Sequence, residues 1–446
     1  MATASKIKLD ALQRPEFYVE GISKEAAETA SALLQENHEK HHIFFNQSGF
    51  HNHIVHHLLT LFALNATPAE LQKAYDENAS YQRPPAPLDR AIVEDMHQPD
   101  KYKKYLGKEK YYHDFLVFFK QEMDNKGWQA VLNEYVFKGD ARADDMLVRM
   151  FAGFLHPIIH LGFGVEFEQP AIIAEALAQA CAHDTWMAPL FQASEQAARE
   201  RATEGKPQKS VVELLHEIRA DEKLRTAPRW GDGNKIRDGI LTRAPDEMVK
   251  YASQYTVSEA QLEEKTAEMI HAAILFTATA QRPPKRVQFD FFYMHSANSS
   301  IFFRAFQRQP WLSRASKTRL LEWKVRADLA MYASRGAPAL LLAELTDYVP
   351  RQDSGWAGVF ERVKRLPDDG HASKLVRAVA HAEMVCGEGM GKGGLLIEGD
   401  MWRVLGHMVV DSVEVGEPHW VRGCGFEEAW REVPEREQER EPPERL

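Results

Sequence analysis

The sequence predicts an all-α fold: a single large multi-helix domain with at most short β hairpins. In most long segments apolar residues recur at three- and four-residue spacing, as in Ile54, Leu58 and Leu61, which is the period of an amphipathic helix. Strand-like alternation is scarce, and the only short candidates are Gly394–Glu398 and Met408–Val415. Because β and α units do not alternate regularly, a doubly wound sheet or a β/α barrel is disfavoured.

Proline and glycine divide the chain at Gln82–Pro87, Arg282–Lys285 and Pro367–Gly370, where one helix can end and another begin. These are turns between helices and not long linkers. We therefore expect one helical domain over residues 1–434, followed by a charged and disordered tail over residues 435–446. The last twenty residues hold eight glutamates and four arginines, which is typical of a solvated end.

Composition and charge exclude several classes of protein. The 446 residues are 44% hydrophobic and 27% charged, as in globular proteins. The formal net charge of −10 opposes attraction to nucleic acid or to an anionic membrane. The three cysteines form no C-x-x-C pair, which excludes cysteine-bound zinc and a disulfide framework. No run approaches the ~18 apolar residues that cross a bilayer, so we expect a cytoplasmic protein without a membrane or nucleic-acid partner.

The nineteen histidines are informative through their grouping. His53, His56 and His57 lie in an apolar segment that is predicted to be helical. On a helix His53 and His57 share a face, whereas His56 is turned by roughly 100° from His57, so we expect only one or two of them to point inward. His156 and His160 form a second pair at i and i+4, and the intervening Pro157 predicts a helix start or a kink.

Two further segments complete the histidine pattern. His295 ends the aromatic run Phe289–Met294 and is expected to be buried. His371 and Lys374 stand at i and i+3, so a helix presents both on one face. One of the two aspartates before them, Asp368 or Asp369, can cap that helix.

Two readings of these histidines compete. A single histidine in an apolar segment is more often a hydrogen-bonded core residue than a metal ligand. Four of them in separate helices favour a metal site, because imidazole is the commonest metal ligand. Such a site, rich in histidine and poor in carboxylate, suits iron, copper, nickel or zinc better than magnesium or calcium. By contrast His38, His41 and His42 lie in a polar run, which we interpret as a solvated helix face.

The common zinc and nucleotide motifs are missing. The sequence contains no H-E-x-x-H and no G-x-G-x-x-G or P-loop pattern. No segment therefore indicates a bound flavin or a nucleotide cofactor.

The sequence resembles the questin oxidase-like proteins of fungal polyketide pathways. The resemblance extends over essentially the whole chain in order and spacing, and it is specific for the family but not for a substrate. The matching pieces are Phe50–Leu59, His156–Gly162, the segment around His295, Asp369–Leu375 and Gly423–Trp430.

That resemblance implies a chemistry. Members of the family are associated with oxidative opening of anthraquinone- or xanthone-like rings, a Baeyer–Villiger-type outcome, without a recognisable flavin-binding domain. If no flavin activates O₂, another activator is needed, and histidine-bound Fe(II) is the natural candidate. We expect a small aromatic substrate and O₂ as partners, and an external reductant such as NADPH is an additional candidate.

The resemblance also assigns residues. Its motifs fall on Asn52 and His53, on His156, on His295, and on the pair His371 and Lys374, while His57 and His160 match less well and are expected beside the metal or the pocket. The implied iron ligands are therefore His53, His156, His295, His371 and Lys374.

A protonated lysine cannot bind a cation. We therefore expect Lys374 to be carbamylated, so that it supplies an anionic oxygen ligand and can act as a base toward a phenol. Two alternatives remain open at this point: a helical zinc-dependent hydrolase that activates water, and a non-catalytic helical binding protein.

Overall fold

The computed structural model describes residues 1–389 and 395–436, and most of these residues are helical. In the first half the α-helices are α1 (Lys24–Lys40), α2 (Ile54–Ala63), α3 (Pro68–Ala79), α4 (Arg90–Met96), α5 (Pro99–Tyr102), α6 (Tyr112–Lys126), α7 (Trp128–Leu132), α8 (Ala141–Met150), α9 (Ala152–Glu166), α10 (Pro170–Ala182) and α11 (Ala188–Thr203). The predicted all-α class is confirmed.

The second half continues the same architecture. Its helices are α12 (Val211–Ala220), α13 (Glu222–Thr226), α14 (Leu241–Arg243), α15 (Pro245–Ala252), α16 (Leu262–Thr279), α17 (Phe291–Gln307), α18 (Arg314–Ser334), α19 (Ala343–Thr346), α20 (Trp356–Val363), α21 (His371–Gly389) and α22 (Met401–Glu414). Short 3₁₀ segments are Glu109–Tyr111, Glu259–Gln261 and Glu427–Trp430, and π-helical segments are Asn133–Phe137 and Lys235–Ile240.

The β structure differs from the expected hairpins. In the described residues the one sheet pairs β1 (Phe289–Asp290) with β2 (Trp420–Val421) in parallel. The predicted strand Met408–Val415 is wrong, because this segment lies in α22 up to Glu414, a helix that is buried without interruption from Leu405 to Val413. Of the other candidate strand, Gly394 lies outside the described residues, and residues 395–398 form a non-strand connection.

Helices α9 and α17 pack at the centre of the molecule, and α2, α8, α10, α16, α18 and α21 surround them. Two glycines permit this close approach. A Cβ at Gly162 would come within 2.2 Å of the Phe302 ring on α17, and one at Gly164 within 2.7 Å of Ile173 on α10. Glycine is therefore required on this stretch of α9 by packing and not by backbone conformation.

The histidine-bearing helix α2 is buried on every side. All ten of its residues, from Ile54 to Ala63, are inaccessible to solvent. The prediction that only one or two of its histidines point inward is therefore wrong, since His53, His56 and His57 are all buried. A helix that is enclosed all round has no outward face for a polar side chain.

Helix α9 has the break that Pro157 predicts. Gly153, Phe154 and Leu155 adopt left-handed backbone angles, with φ of 53°, 55° and 70°, and the regular helix follows them. Two of these three residues carry side chains, which rarely occupy this region, and such strain is concentrated at functional sites.

One continuous hydrophobic core includes buried side chains from Ala4 to Val433. The tail predicted for residues 435–446 stays a prediction. Glu435 and Arg436 lie against Lys285 and Pro284, and residues 437–446 lie outside the described part of the chain.

Within the described residues, no helix taken singly combines the length and apolarity of a bilayer span. Helices α8 and α9 meet both criteria only when taken together, and they are bent by 98° relative to each other.

The packing of α9 against α17 gives a prediction. We expect Gly162→Ala to destabilise the protein by about 1–3 kcal/mol, because its methyl group overlaps the Phe302 ring in a close-packed core. Equilibrium unfolding in urea measures this change. Gly231→Ala is the control, since no atom lies within 4 Å of its new Cβ. Equal stability of the two variants would contradict the described packing.

Candidate metal centre

Three histidines from distant parts of the chain meet in the interior. His53 precedes α2, His295 lies near the start of α17, and His371 is the first residue of α21. One ligand nitrogen of each lies within 4.8 Å of the others. All three residues are buried, with exposed fractions of 5%, 1% and 2%.

The fourth predicted histidine joins this group. Nε2 of His156 lies 2.9 Å from Nε2 of His53, and its ring centroid is 4.7 Å from that of His295. Two nitrogens bound at about 2.1 Å to one ion at a right angle stand roughly 3 Å apart. The separation of His53 and His156 is therefore suited to adjacent positions around a shared metal.

Hydrogen bonds orient the other ring nitrogens. Nδ1 of His156 donates to the carbonyl of Gly153 at 2.6 Å, Nδ1 of His295 donates to that of Phe291 at 2.7 Å, and Nδ1 of His371 donates to the Asp369 carboxylate. These partners assign the proton to Nδ1 and leave a lone pair on Nε2, which in His156 accepts a hydrogen bond from Nε2 of His53. In the described part of the chain, Nε2 of His295 and Nε2 of His371 have no hydrogen-bond partner. Metal-binding histidines show this arrangement.

Asp369 connects two of the histidines. Besides His371, its carboxylate lies 3.1 Å from Nδ1 of His53, an ion-pair distance that does not have hydrogen-bond geometry. Burial raises the pKa of Asp369, but the electrostatic attraction of His371 and His53, together with the hydrogen bond from His371, holds it well below its usual value. Since 34% of its side chain is exposed, the centre reaches solvent at this residue.

Its neighbour Asp368 caps α21, as one of the two aspartates was predicted to do. Its carboxylate accepts hydrogen bonds from the backbone N–H groups of Gly370 at 2.9 Å and Ala372 at 2.7 Å. The cap fixes the first turn of the helix, which carries His371 and Lys374.

Burial keeps the imidazoles neutral. It lowers the pKa of His53 to about 3, and those of His156 and His295 fall well below their usual value for the same reason, assisted by neighbouring cationic groups. Burial likewise lowers the pKa of His371, against the opposing charge of Asp369. Neutral imidazoles carry the lone pairs that a metal ion requires.

Lys374 lies one turn after His371 and is 2% exposed. Burial lowers its pKa to about 8, although the charges of Asp369 and Asp368 raise it. Its charge in turn lowers the pKa of His53 and of His371, which places the amine in the electrostatic field of the centre. A substantial fraction of this amine is neutral at physiological pH.

The residues predicted beside the metal have different roles. Asn52 holds the start of α2, since its Oδ1 accepts from the N–H of Ile54 at 2.9 Å and its Nδ2 donates to Asn37 at 2.8 Å. His57 packs against Gly370, where a Cβ would lie 2.6 Å from the imidazole Cγ. The His57 ring therefore packs against the turn that directly precedes His371.

The third of these residues, His160, belongs to a buried network. Its Nε2 donates to Glu175 on α10 at 2.7 Å, and the other carboxylate oxygen accepts from Nδ1 of His38 at 2.5 Å. Nε2 of His56 then donates to Nδ1 of His160 at 3.2 Å. Burial would raise the pKa of Glu175, but the hydrogen bonds from His160 and His38 lower it to about 2.

This network corrects the interpretation of the polar run on α1. His38 and His42 are 7% and 3% exposed, so they are not part of a solvated face, while His41 is half-buried. The prediction failed because His38 has charged neighbours in the sequence, whereas its hydrogen-bond partner, Glu175, lies 137 residues further along the chain.

Sequence reasoning missed another pair beside the centre. His51 stacks on His156 with ring centroids 3.8 Å apart, and its Nε2 lies 2.9 Å from Nε2 of His183. A Cβ at Gly153 would lie 2.6 Å from the His183 ring. Two features of the sequence could have indicated these buried polar groups. Glu175 is the sole charged residue of the apolar helix α10, and His183 directly follows that helix.

Comparison with known proteins identifies close relatives. A family model described as questin oxidase-like matches residues 50–379. The Baeyer–Villiger monooxygenase dmxR6 of Cryptosporiopsis sp. is 41% identical over 96% of this chain and 98% of its own length. The Baeyer–Villiger oxidase AgnL3 of Paecilomyces divaricatus is 42% identical, over 92% and 91%. Questin oxidase of Aspergillus fumigatus is 37% identical, over 97% and 100%.

The buried amine gives a prediction that does not depend on any relative. We expect Lys374→Met to stabilise the metal-free protein at pH 7, by up to about 3 kcal/mol, because the folded state no longer has to bury an ammonium ion. The advantage should shrink as the pH rises from about 8 to 10.5, since the wild-type lysine then loses its proton in the folded state before it does so in the unfolded state. Urea unfolding in CO₂-free buffer with a chelator measures both effects. A variant that is less stable than the wild type at pH 7 would contradict the burial of a free amine.

Proposed function

The chain belongs to the questin oxidase-like family, and from this premise we propose that it is an oxidoreductase that opens a ring of an anthraquinone-type aromatic polyketide with O₂, using iron held by buried histidines. The observation that carries the proposal is the convergence of His53, His295 and His371, with ligand nitrogens within 4.8 Å of one another. The relatives are named as an oxidase of questin and as Baeyer–Villiger oxidases, which supports oxygen chemistry.

The residues fit the proposed ion. His53, His156, His295 and His371 would hold it, because each offers a neutral imidazole and Nε2 of His295 and of His371 is buried without a hydrogen-bond partner in the described residues. A histidine-rich set is suited to a transition metal. When bound, Fe(II) supplies the one-electron chemistry by which O₂ reacts with an aromatic molecule.

Lys374 would complete the site as a carbamate. Its neutral amine forms an N–C bond with CO₂, one proton is released to solvent, and the product carries one negative charge. The pKa of about 8 makes the neutral amine accessible near physiological pH. The charge then offsets that of the metal among neutral imidazoles, and the carbamate oxygen can accept a proton from a phenolic hydroxyl group of the substrate.

The surroundings support the same chemistry. Asp369 connects the centre to solvent and accepts the Nδ1 proton of His371, which keeps that imidazole in one orientation. The four histidines themselves are at most 5% exposed, so the solvent contact of the centre is through Asp369. Turnover measured with and without NADPH determines whether an external reductant supplies electrons.

The relatives favour this proposal over the two alternatives. The relatives are named as oxidoreductases. Relatives of a zinc-dependent hydrolase or of a non-catalytic binding protein would not be expected to carry such names. Metal analysis by mass spectrometry on protein purified without a His-tag distinguishes the three, since we expect iron in the oxygenase, zinc in the hydrolase and no stoichiometric metal in the binding protein.

We expect His53→Ala, His156→Ala, His295→Ala or His371→Ala each to reduce bound iron well below one equivalent and to abolish O₂ consumption with a hydroxyanthraquinone, because each removes a ligand. Iron content and oxygen-electrode traces measure the two effects. His216→Ala, at an exposed position, is the control and should behave as the wild type. Full iron and full activity in all four variants would show that the cluster is structural.

We expect Lys374→Ala to abolish turnover with the fold intact, because the anionic ligand and base is lost. Short carboxylic acids or bicarbonate should partly restore the rate by placing a carboxylate in the vacated space. Circular dichroism confirms the fold, and mass spectrometry of the wild type under CO₂ tests for an added carboxylate on Lys374. Undiminished activity of the variant would overturn this role.

A further inference from the structure

The Asp290 carboxylate links α17, the helix that carries His295, to the segment that follows β2. One oxygen of Asp290 caps α17 by accepting from the N–H groups of Phe292 and Tyr293, at 2.8 and 3.2 Å. The other accepts from the N–H groups of Gly423 and Cys424, at 2.6 and 2.8 Å. Because β1 also pairs with β2, the residues around 420–424 are held beside the start of α17.

This attachment builds an aromatic wall, defined as Phe291, Phe292 and Trp420, at one side of the histidines. The ring of Phe291 lies 4.8 Å from that of His295 and 5.0 Å from that of His371. Trp420 is 6.2 Å from His371. All three members of the wall are half-buried, next to the fully buried histidines.

The positively charged side chain of Arg422 lies over the Phe291 ring of this wall. The guanidinium group of Arg422 lies 4.7 Å from the centroid of the Phe291 ring, and the residue is exposed. In the described part of the chain no carboxylate forms an ion pair with Arg422, whereas Arg319, Arg362 and Arg377 each have such a partner. Its positive charge is therefore available to a ligand, on a surface that can stack a flat ring.

We propose that Arg422 and the aromatic wall form the subsite that selects the substrate: a flat aromatic ring system stacks on Phe291 and Trp420, and an acidic oxygen at its edge binds the Arg422 guanidinium. This inference rests on the proposed function and adds the substrate class, an aromatic acid or ionised phenol. The planar fork of arginine matches a carboxylate with two parallel N–H···O bonds, and such charge-assisted bonds fix orientation. The ring is thereby held with its far side toward His295 and His371.

The test uses binding and does not depend on turnover. An anthraquinone carboxylate and its neutral methyl ester are titrated against the full-length, iron-loaded protein, with tryptophan fluorescence as the readout. We expect the wild type to bind the carboxylate at least tenfold more tightly than the ester. Arg422→Gln should weaken binding of the carboxylate about tenfold or more and leave the ester unchanged, because only the charge-assisted bond is lost. Phe291→Leu should weaken both ligands, since both stack on this ring.

Arg225→Gln is the matched control, an exposed arginine without an ion pair in the described residues, and should equal the wild type. Unchanged carboxylate binding in Arg422→Gln, or equal binding of carboxylate and ester by the wild type, would overturn the subsite. A selective effect of Arg422→Gln in a protein that consumes no O₂ with any hydroxyanthraquinone would leave the subsite standing and remove the proposed reaction instead.

Discussion

The centre of this protein depends on the hydrogen bonds that the Nδ1 atoms of its buried imidazoles donate to the surrounding chain. For His156 and His295 a backbone carbonyl accepts the Nδ1 proton, and for His371 the Asp369 carboxylate does so. Each of these bonds leaves the lone pair on Nε2, and His295 and His371 each have a ligand nitrogen within 4.8 Å of the other and of one on His53. The hydrogen bonds of the Nδ1 atoms therefore fix the orientation of the Nε2 atoms. The left-handed turn at Gly153 positions one of the carbonyl groups that accept these bonds.

A second layer of polar groups keeps the first layer in place. Glu175 accepts from His38 and His160, and His160 accepts from His56, so α1, α2, α9 and α10 are joined through one carboxylate. Nε2 of His38 accepts from Lys120 at 3.3 Å, which brings the chain of bonds to a half-buried residue. A carboxylate without such donors would be costly in this interior, and imidazoles without it would lack an acceptor. The network and the hydrophobic core thus specify the same arrangement of helices.

The fold class and part of the candidate site could be predicted from the sequence. The other features could not, for physical reasons. Helical periodicity predicts the fold class, and apolar context marks several histidine segments. The family resemblance selects His53, His156, His295 and His371, which the structure brings together. Partners that come from distant helices leave no local pattern, so Glu175 and the burial of His38 were missed. Met408–Val415 looked like a strand because β-branched residues are frequent in it, but packing against α20 and α21 decides its conformation.

The Asp290 attachment also has a consequence for biosynthesis. The Asp290 carboxylate binds a backbone N–H group 133 residues further along the chain, and the aromatic wall is complete only when the segment around Gly423 has reached the start of α17. During translation His53 and His156 leave the ribosome long before His371, and Trp420 follows later still. An emerging chain therefore carries several imidazoles with no enclosed site around them. The proposed ion can be enclosed only after most of the polypeptide has been synthesised, so we expect its binding to follow chain synthesis rather than accompany it.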